Sequence, residues 1–308
     1  RVYVAWLFES FMWALMLAVM KAIVSRDLVS STSVNLIQRV TTALILLIPY
    51  FLTPRAQCGF ERRHWPALLF IAFFLTFMMY FRTWAYQFYG QGVANSAILE
   101  RADSMFAVLI GWIVLRERPR LIEFAALSGM IAGVFLITGA SFANYQVGQW
   151  KGDILIILAV LMVTINAFVI RIALRRVHPN EIALFNNGVS AGMVLLIYLG
   201  AQAVNGQIAR DAAAFTAHPR LLIGTIILGA IAAGVFQLYY YILHRLPVWK
   251  VRAFLLFVPF FAAPIAWLTP GLNEAITVRQ IAGMLVVTGC GFWLMWLSRV
   301  RATPAEVE

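Results

Sequence analysis

Residues 153–173 read DILIILAVLMVTINAFVIRIA. At a rise of about 1.5 Å per residue this run covers roughly 30 Å as an α-helix, which matches the hydrocarbon thickness of a bilayer. Its charges, Asp153 and Arg171, sit near the two ends, and only Thr164 and Asn166 interrupt the apolar middle. Water is absent at that depth, so the backbone must satisfy its own hydrogen bonds, and a helix does so within one segment. The run does not alternate, as a strand of a membrane barrel would.

Working outward from it, nine further runs of the same kind appear, at 2–24, 34–53, 66–89, 93–115, 121–140, 181–204, 220–243, 248–269 and 279–298. Short connections carry the breakers, among them Pro54, Gly90, Gly92, Pro119, Pro179, Gly206, Pro219, Pro247 and Pro270. The expected fold is therefore an all-α polytopic membrane protein with ten transmembrane helices. Composition agrees: 62% of residues are hydrophobic, only 12% are charged, and the mean hydropathy is +0.84. Soluble domains carry roughly twice that charged fraction. The first run holds Glu9 and Lys21 with no cleavage pattern after it, and reads as a retained helix.

The net charge of +11 does not mark a nucleic-acid surface, because the basic residues fall in clusters between apolar runs. With the N-terminus cytoplasmic, fifteen lysines and arginines lie on the inner side, five on the outer side and four within spans. That bias places both termini in the cytoplasm and requires an even number of crossings. Cys58 and Cys290 supply neither a disulfide framework nor a metal site. His64, His178, His218 and His244 lie in loops or at helix ends, without the clustering that metal or nucleophilic chemistry needs. No Walker motif is present. The expectation is a non-enzyme with no cofactor.

A shift of 155 residues brings Tyr86 onto Tyr241, Val93 onto Val248 and Trp112 onto Trp267; two residues later in register, Glu117 meets Glu274 and Ala126 meets Gly283. Each half, 1–150 and 151–300, then holds five spans, with 301–308 as a tail. An odd span number forces the two repeats into opposite orientations, the inverted plan of many secondary transporters, with a site near the midplane.

The stretch AVLIGWIVLRERPRLIEFAALSGMIAGVFLI, with Glu117 directly after the fourth run, resembles the end of an EamA domain of the drug/metabolite transporter superfamily. GDILIILAVLMVTINAFVIRI resembles the opening of its second domain. The second half repeats the theme with Glu274 and Gly283, and Arg39 stands where that family often has an arginine in span two. Pro259 supplies a family proline in span nine, whereas Ser104 takes the equivalent place in span four. The resemblance implies export or exchange of metabolites through a central pocket lined by spans 1, 3, 4, 6, 8 and 9, in a bacterial inner membrane.

Ionisable groups inside a span cost about 2.5–3.5 kcal/mol on insertion scales, so each needs a reason. Arg82 and Glu100 are each nine residues from Gln91, at equal depth on neighbouring spans, and Asp103 shares a face with Glu100. An ion pair of Arg82 with Glu100 or Asp103 is expected. Arg101 faces another way, with Arg39 as a candidate partner in charge balance. This cluster reads either as a binding or coupling site for a charged or zwitterionic solute, or as a static salt-bridge network. Glu9 is a candidate proton or cation site, while Lys21 snorkels to the interface. Phe81, Trp84 and Tyr239 are candidate pocket aromatics; Tyr86, Tyr89 and Tyr241 suit the membrane belt. Asn166 and Gln237 lie in spans that the resemblance places around the pocket. Lys250 and Arg252 open span nine as interface anchors or anion contacts. Gly129 with Gly133, and Gly188 with Gly192, read as close helix packing. The functional expectation is a secondary carrier of a small amphipathic metabolite, with a proton as candidate coupling ion. A lipid or lipid-linked-sugar flippase is the alternative; it would need a groove open to lipid.

Overall fold

The computed structural model describes residues 2–24, 28–54, 64–89, 94–115, 120–138, 150–268 and 277–299. Every regular element among them is helical: α1 (Val2–Val24), α2 (Ser31–Leu52), α3 (Trp65–Tyr89), α4 (Ala94–Leu115), α5 (Leu121–Thr138), α6 (Trp150–Ala173), α7 (Pro179–Asn205), α8 (Gln207–Ala217), α9 (Pro219–Arg245), α10 (Val248–Phe254), a 3-10 turn (Leu255–Phe257), α11 (Val258–Leu268) and α12 (Val278–Arg299). Six stretches, within α1, α2, α3, α6, α7 and α9, are long and apolar enough to cross a membrane. Shorter apolar stretches lie in α4, α5 and α12.

The distribution of polarity is that of a protein solvated by lipid. Leu52, Leu121 and Val278 are 79%, 91% and 82% exposed, whereas Glu9, Arg39, Asn187 and Arg252 are buried. In water such an arrangement would squander the hydrophobic effect; in hydrocarbon it hides the groups that hydrocarbon cannot solvate.

The packing repeats itself. α3 lies on α6 as α1 lies on α9; α2 lies on α9 as α3 lies on α7; α4 meets α6 as α11 meets α1. The pairs α5–α12, α2–α7 and α4–α10 join like to like. Exchanging α1 to α5 with α6, α7, α9, α10–α11 and α12 thus leaves the principal pairings unchanged.

Two features depart from the sequence reading. Span nine is broken: α10 gives way to the 3-10 turn at Leu255–Phe257 before α11 begins. Pro259 has no N–H to offer the carbonyl four residues back, so the regular ladder cannot run through this point, and the tighter turn fills the gap. The second is α8, an additional short helix between α7 and α9. Gly206, in the left-handed region at φ 61°, turns the chain between α7 and α8. Buried Asp211 of α8 accepts hydrogen bonds from the Ser30 backbone N–H (2.9 Å), the Ser30 hydroxyl (2.6 Å), the Tyr198 hydroxyl (2.7 Å) and Gln207 (3.1 Å). Ser30 is itself the N-cap of α2, so Asp211 fastens α8 and α7 to the start of α2. Burial alone would raise the carboxyl's pKa; the donors around it outweigh that and hold it below the usual range.

The glycine pairs divide. A Cβ on Gly133 would sit 2.9 Å from the Gly283 carbonyl, and one on Gly129 would sit 2.5 Å from Cys290 Sγ, as close packing of α5 on α12 requires. Around Gly188 and Gly192 a Cβ would meet no atom within 4 Å among the described residues, so close packing is not their reason. A close approach to backbone also occurs at Gly229 of α9, where a Cβ would lie 2.6 Å from Thr41 Cβ and 2.9 Å from the Gln38 carbonyl. There Thr42 donates to the Gly229 carbonyl at 2.9 Å.

Candidate substrate site

The break in span nine positions the chemistry. Arg252 lies in the last turn of α10, just before the 3-10 turn, and is 5% exposed. One Nη2 donates to the Val163 carbonyl of α6 (3.0 Å) and to the Tyr239 hydroxyl of α9 (2.8 Å). Nη1 is 3.6 Å from Asp103 Oδ2 of α4. The guanidinium also lies 5.4 Å from the centre of the Tyr239 ring, within the range of a cation–π contact. Ser104 completes the junction: its hydroxyl is 3.1 Å from the Arg252 carbonyl and 3.2 Å from Asp103 Oδ1. Its single proton serves one of them at a time. Where span four carries serine in place of proline, that serine reaches across to the other half.

Glu9 belongs to the same neighbourhood. It is fully buried in α1, within electrostatic reach of Arg252 and Tyr239. Trp13, one turn on, donates from its indole N–H to Glu9 Oε1 at 3.1 Å. The other oxygen, Oε2, is buried with no hydrogen-bond partner among the described residues. A buried carboxyl with one idle oxygen is a costly arrangement unless something visits it, whether a proton or a cationic group.

The other expected residues are distributed around this centre. Asn166, one turn along α6 from Val163, is buried with its Oδ1 unpartnered among the described residues. Gln237 donates to Asn180 Oδ1 at 2.6 Å and lines a cleft of about 1150 Å³ that opens between α1, the α6–α7 junction and α9. That cleft lies on the face that carries the first residues of α1, and Arg175, Arg176, His178, His244 and Arg245 also line it. Arg39 is buried under Asn187 and Phe236, apart from Arg252. Phe81 is half-buried, its ring 6.4 Å from Phe77 on the same helix. Arg82 is likewise half-buried on α3. The side chains of Trp84, Glu100 and Arg101 lie outside the described residues, and with them the pairing of Glu100 with Arg82. Asp103, the other carboxylate considered for Arg82, lies against Arg252.

The residue that sequence reasoning underweighted is Arg252, which is buried in the bundle and not anchored at the interface. The available signal was its place a full turn inside the apolar run that begins at Val248. Among the described residues no group of His, Cys, Asp and Glu is arranged to hold a metal.

The sequence model of the EamA-like transporter family matches residues 2–139 and again 150–297. The chain belongs to this family. Two consecutive matches cover almost its whole length, so the EamA unit occurs twice, and the protein is a transporter of the drug/metabolite type, integral to a membrane, with a small-molecule substrate. No curated protein sequence matches the chain. A solved structure described only as "Crystal structure of protein" is similar over 98% of this chain and 99% of its own, with a TM-score of 0.76 and 14% identity. At that identity the likeness concerns the fold alone. In this EamA chain the polar centre is built from both units: Glu9, Asp103 and Ser104 from the first, Val163, Tyr239 and Arg252 from the second.

Proposed function

We propose that the protein is a secondary carrier that moves a small amphipathic, zwitterionic metabolite, an amino acid or a solute like one, by alternating access. The observation that carries this reading is the pairing of Arg252 with Asp103 at 3.6 Å beside Glu9, whose second oxygen has no partner among the described residues. A substrate carboxylate competes with Asp103 for the guanidinium, while a substrate ammonium or a proton takes the free oxygen of Glu9. Tyr239 and Trp13 offer ring faces and edges to the apolar part. Because the partners of Arg252 come from both units, exchanging Asp103 for substrate loosens one unit from the other, which is what rocking requires.

On this reading the chain crosses a bacterial inner membrane ten times, α10, the 3-10 turn and α11 forming one crossing and α8 lying at the outer surface. Units 1–150 and 151–300 are inverted, residues 301–308 form a tail, and both termini are cytoplasmic. The cleft rimmed by Arg175, Arg176 and Arg245 is then the cytoplasmic vestibule of an inward-open state, its cationic rim drawing in carboxylates. Transport runs as export or exchange.

The test is uptake and counterflow in proteoliposomes with a panel of amino acids, amines and carboxylates, with and without a pH gradient. Zwitterions are expected to be transported and their mono-charged analogues to fail. Glu9→Gln is expected to abolish stimulation by the pH gradient while counterflow persists. Transport of lipid-linked substrates with indifference to zwitterions would overturn the reading in favour of a flippase.

A further inference from the structure

Arg39 presents a problem that the substrate site does not solve. It stands in α2, 3% exposed, and Nη1 donates to Asn187 Oδ1 of α7 at 3.0 Å. Its guanidinium lies 5.4 Å from the centre of the Phe236 ring, and Tyr240 is its remaining electrostatic neighbour. No carboxylate pairs with it among the described residues. A guanidinium carries five N–H donors and one full charge, and a buried charge without a counter-charge is among the most expensive features a fold can hold. Arg252 has Asp103 and the nearby Glu9; Arg39 has an amide, a phenol and a ring.

Directly beside it the helices leave a cavity of about 20 Å³ between α2, α3 and α7, lined by Arg39, Thr32, Asn35, Thr76, Tyr80 and Ser190, with Met79 and Val194 as its apolar wall. Thr76 and Ser190 are 2.9 Å apart, and Thr76 reaches its own helix at Ala72 O (2.8 Å). Roughly 10–15 Å³ holds one water, so this space has room for a water or a single monatomic ion. Among the described residues the surroundings are hydroxyls, an amide and a cation, and no carboxylate; the hydroxyls bond to one another and to Ala72 O, so the guanidinium is the group that draws an anion.

We propose that this cavity is a binding site for one small inorganic anion of chloride size, held by Arg39 and the hydroxyls around it. The anion supplies the missing counter-charge and ties α2 of the first EamA unit to α7 of the second. It is separate from the substrate reading: different helices line it, and it is too small for a metabolite.

The test uses purified protein in lipid nanodiscs, with sodium chloride exchanged for sodium gluconate at constant ionic strength. Gluconate is too large for the cavity. The thermal midpoint is expected to rise saturably with chloride, and bromide should replace it. In a parallel ³⁵Cl NMR titration the protein should broaden the chloride line. Arg39→Gln is expected to remove both effects, and Ser190→Ala, which keeps the cation and removes one hydroxyl, to weaken the apparent chloride affinity about ten-fold. A wild-type midpoint and line width indifferent to chloride would mean that the cavity holds only water, and would overturn the proposal. So would an Arg39→Gln variant that responds as the wild type does. Should Arg39→Gln fail to fold, the Ser190→Ala titration decides alone, an unchanged affinity counting against the site.

Discussion

Asp103 and Arg252 offer the sharpest perturbation, because both are buried and each comes from a different EamA unit. At 3.6 Å, two unit charges attract by about 4–5 kcal/mol at an effective dielectric of about 20, before desolvation is subtracted. Removing one member of such a pair strands the other, at about 3–5 kcal/mol. The structure ranks the two substitutions. After Asp103→Asn, Arg252 still donates to Val163 and Tyr239, so the loss falls near the lower end, about 3 kcal/mol. Arg252→Gln forfeits those bonds as well and leaves a buried carboxylate, so the loss falls nearer about 5 kcal/mol. The double variant strands no charge and is expected to cost about 2–3 kcal/mol less than the sum of the singles. Unfolding by titration with denaturing detergent in mixed micelles measures all four corners of this cycle. Additivity within about 0.5 kcal/mol would show that the two groups do not sense one another, and the ionic link between the units would fall with it.

Two further outcomes follow from other contacts. Gly229→Ala drives a methyl to within 2.6 Å of Thr41 Cβ and 2.9 Å of the Gln38 carbonyl. Net destabilisation of about 1–2 kcal/mol is expected, the clash being partly offset by alanine's helix propensity. Gly188→Ala meets open space and should stabilise by up to about 1 kcal/mol in the same unfolding assay. Asp211, held below the usual carboxylate range by its donors, stabilises the protein fully above the unfolded aspartate value of about 3.9. As pH falls below that value the unfolded chain binds the proton first, so this contribution is lost as pH drops through the depressed native value. Thermal midpoints scanned from pH 6 downward should show an acid-side loss that Asp211→Asn lacks.

The long apolar helices were legible because a bilayer imposes length and composition together, a constraint that continuous apolar runs such as 153–173 satisfy without help from the rest of the chain. α8 was not, since eleven residues beginning QIARD carry neither the length nor the hydropathy of a crossing, and their reason for being helical is Asp211 clasping Ser30 far away in sequence. Within the site, Glu9, Asp103 and Tyr239 announced themselves as polar groups deep in apolar runs. Arg252 did not, because a cation four residues into a helix looks interfacial until one knows that the helix starts in the protein and breaks at Leu255. Spacing likewise suggested that Gly188 and Gly192 were a packing pair, but a glycine motif reports only that a neighbour is allowed to approach, and among the described residues none does.

The placement of charge bears on how such a carrier moves. The first EamA unit brings acids to the centre, Glu9 and Asp103, and the second brings the cation, Arg252, with Ser104 reaching across to the Arg252 backbone. A link of this kind resists separation of the units only while both charges are present and undiluted. A ligand shifts an equilibrium between two arrangements by no more than its difference in affinity for them. On the carrier reading proposed above, a zwitterion would meet that condition, since it would satisfy the cation and the acids separately in an arrangement where they no longer satisfy each other. On the same reading, a neutral solute of the same shape would occupy the space and leave the link intact, binding without being carried.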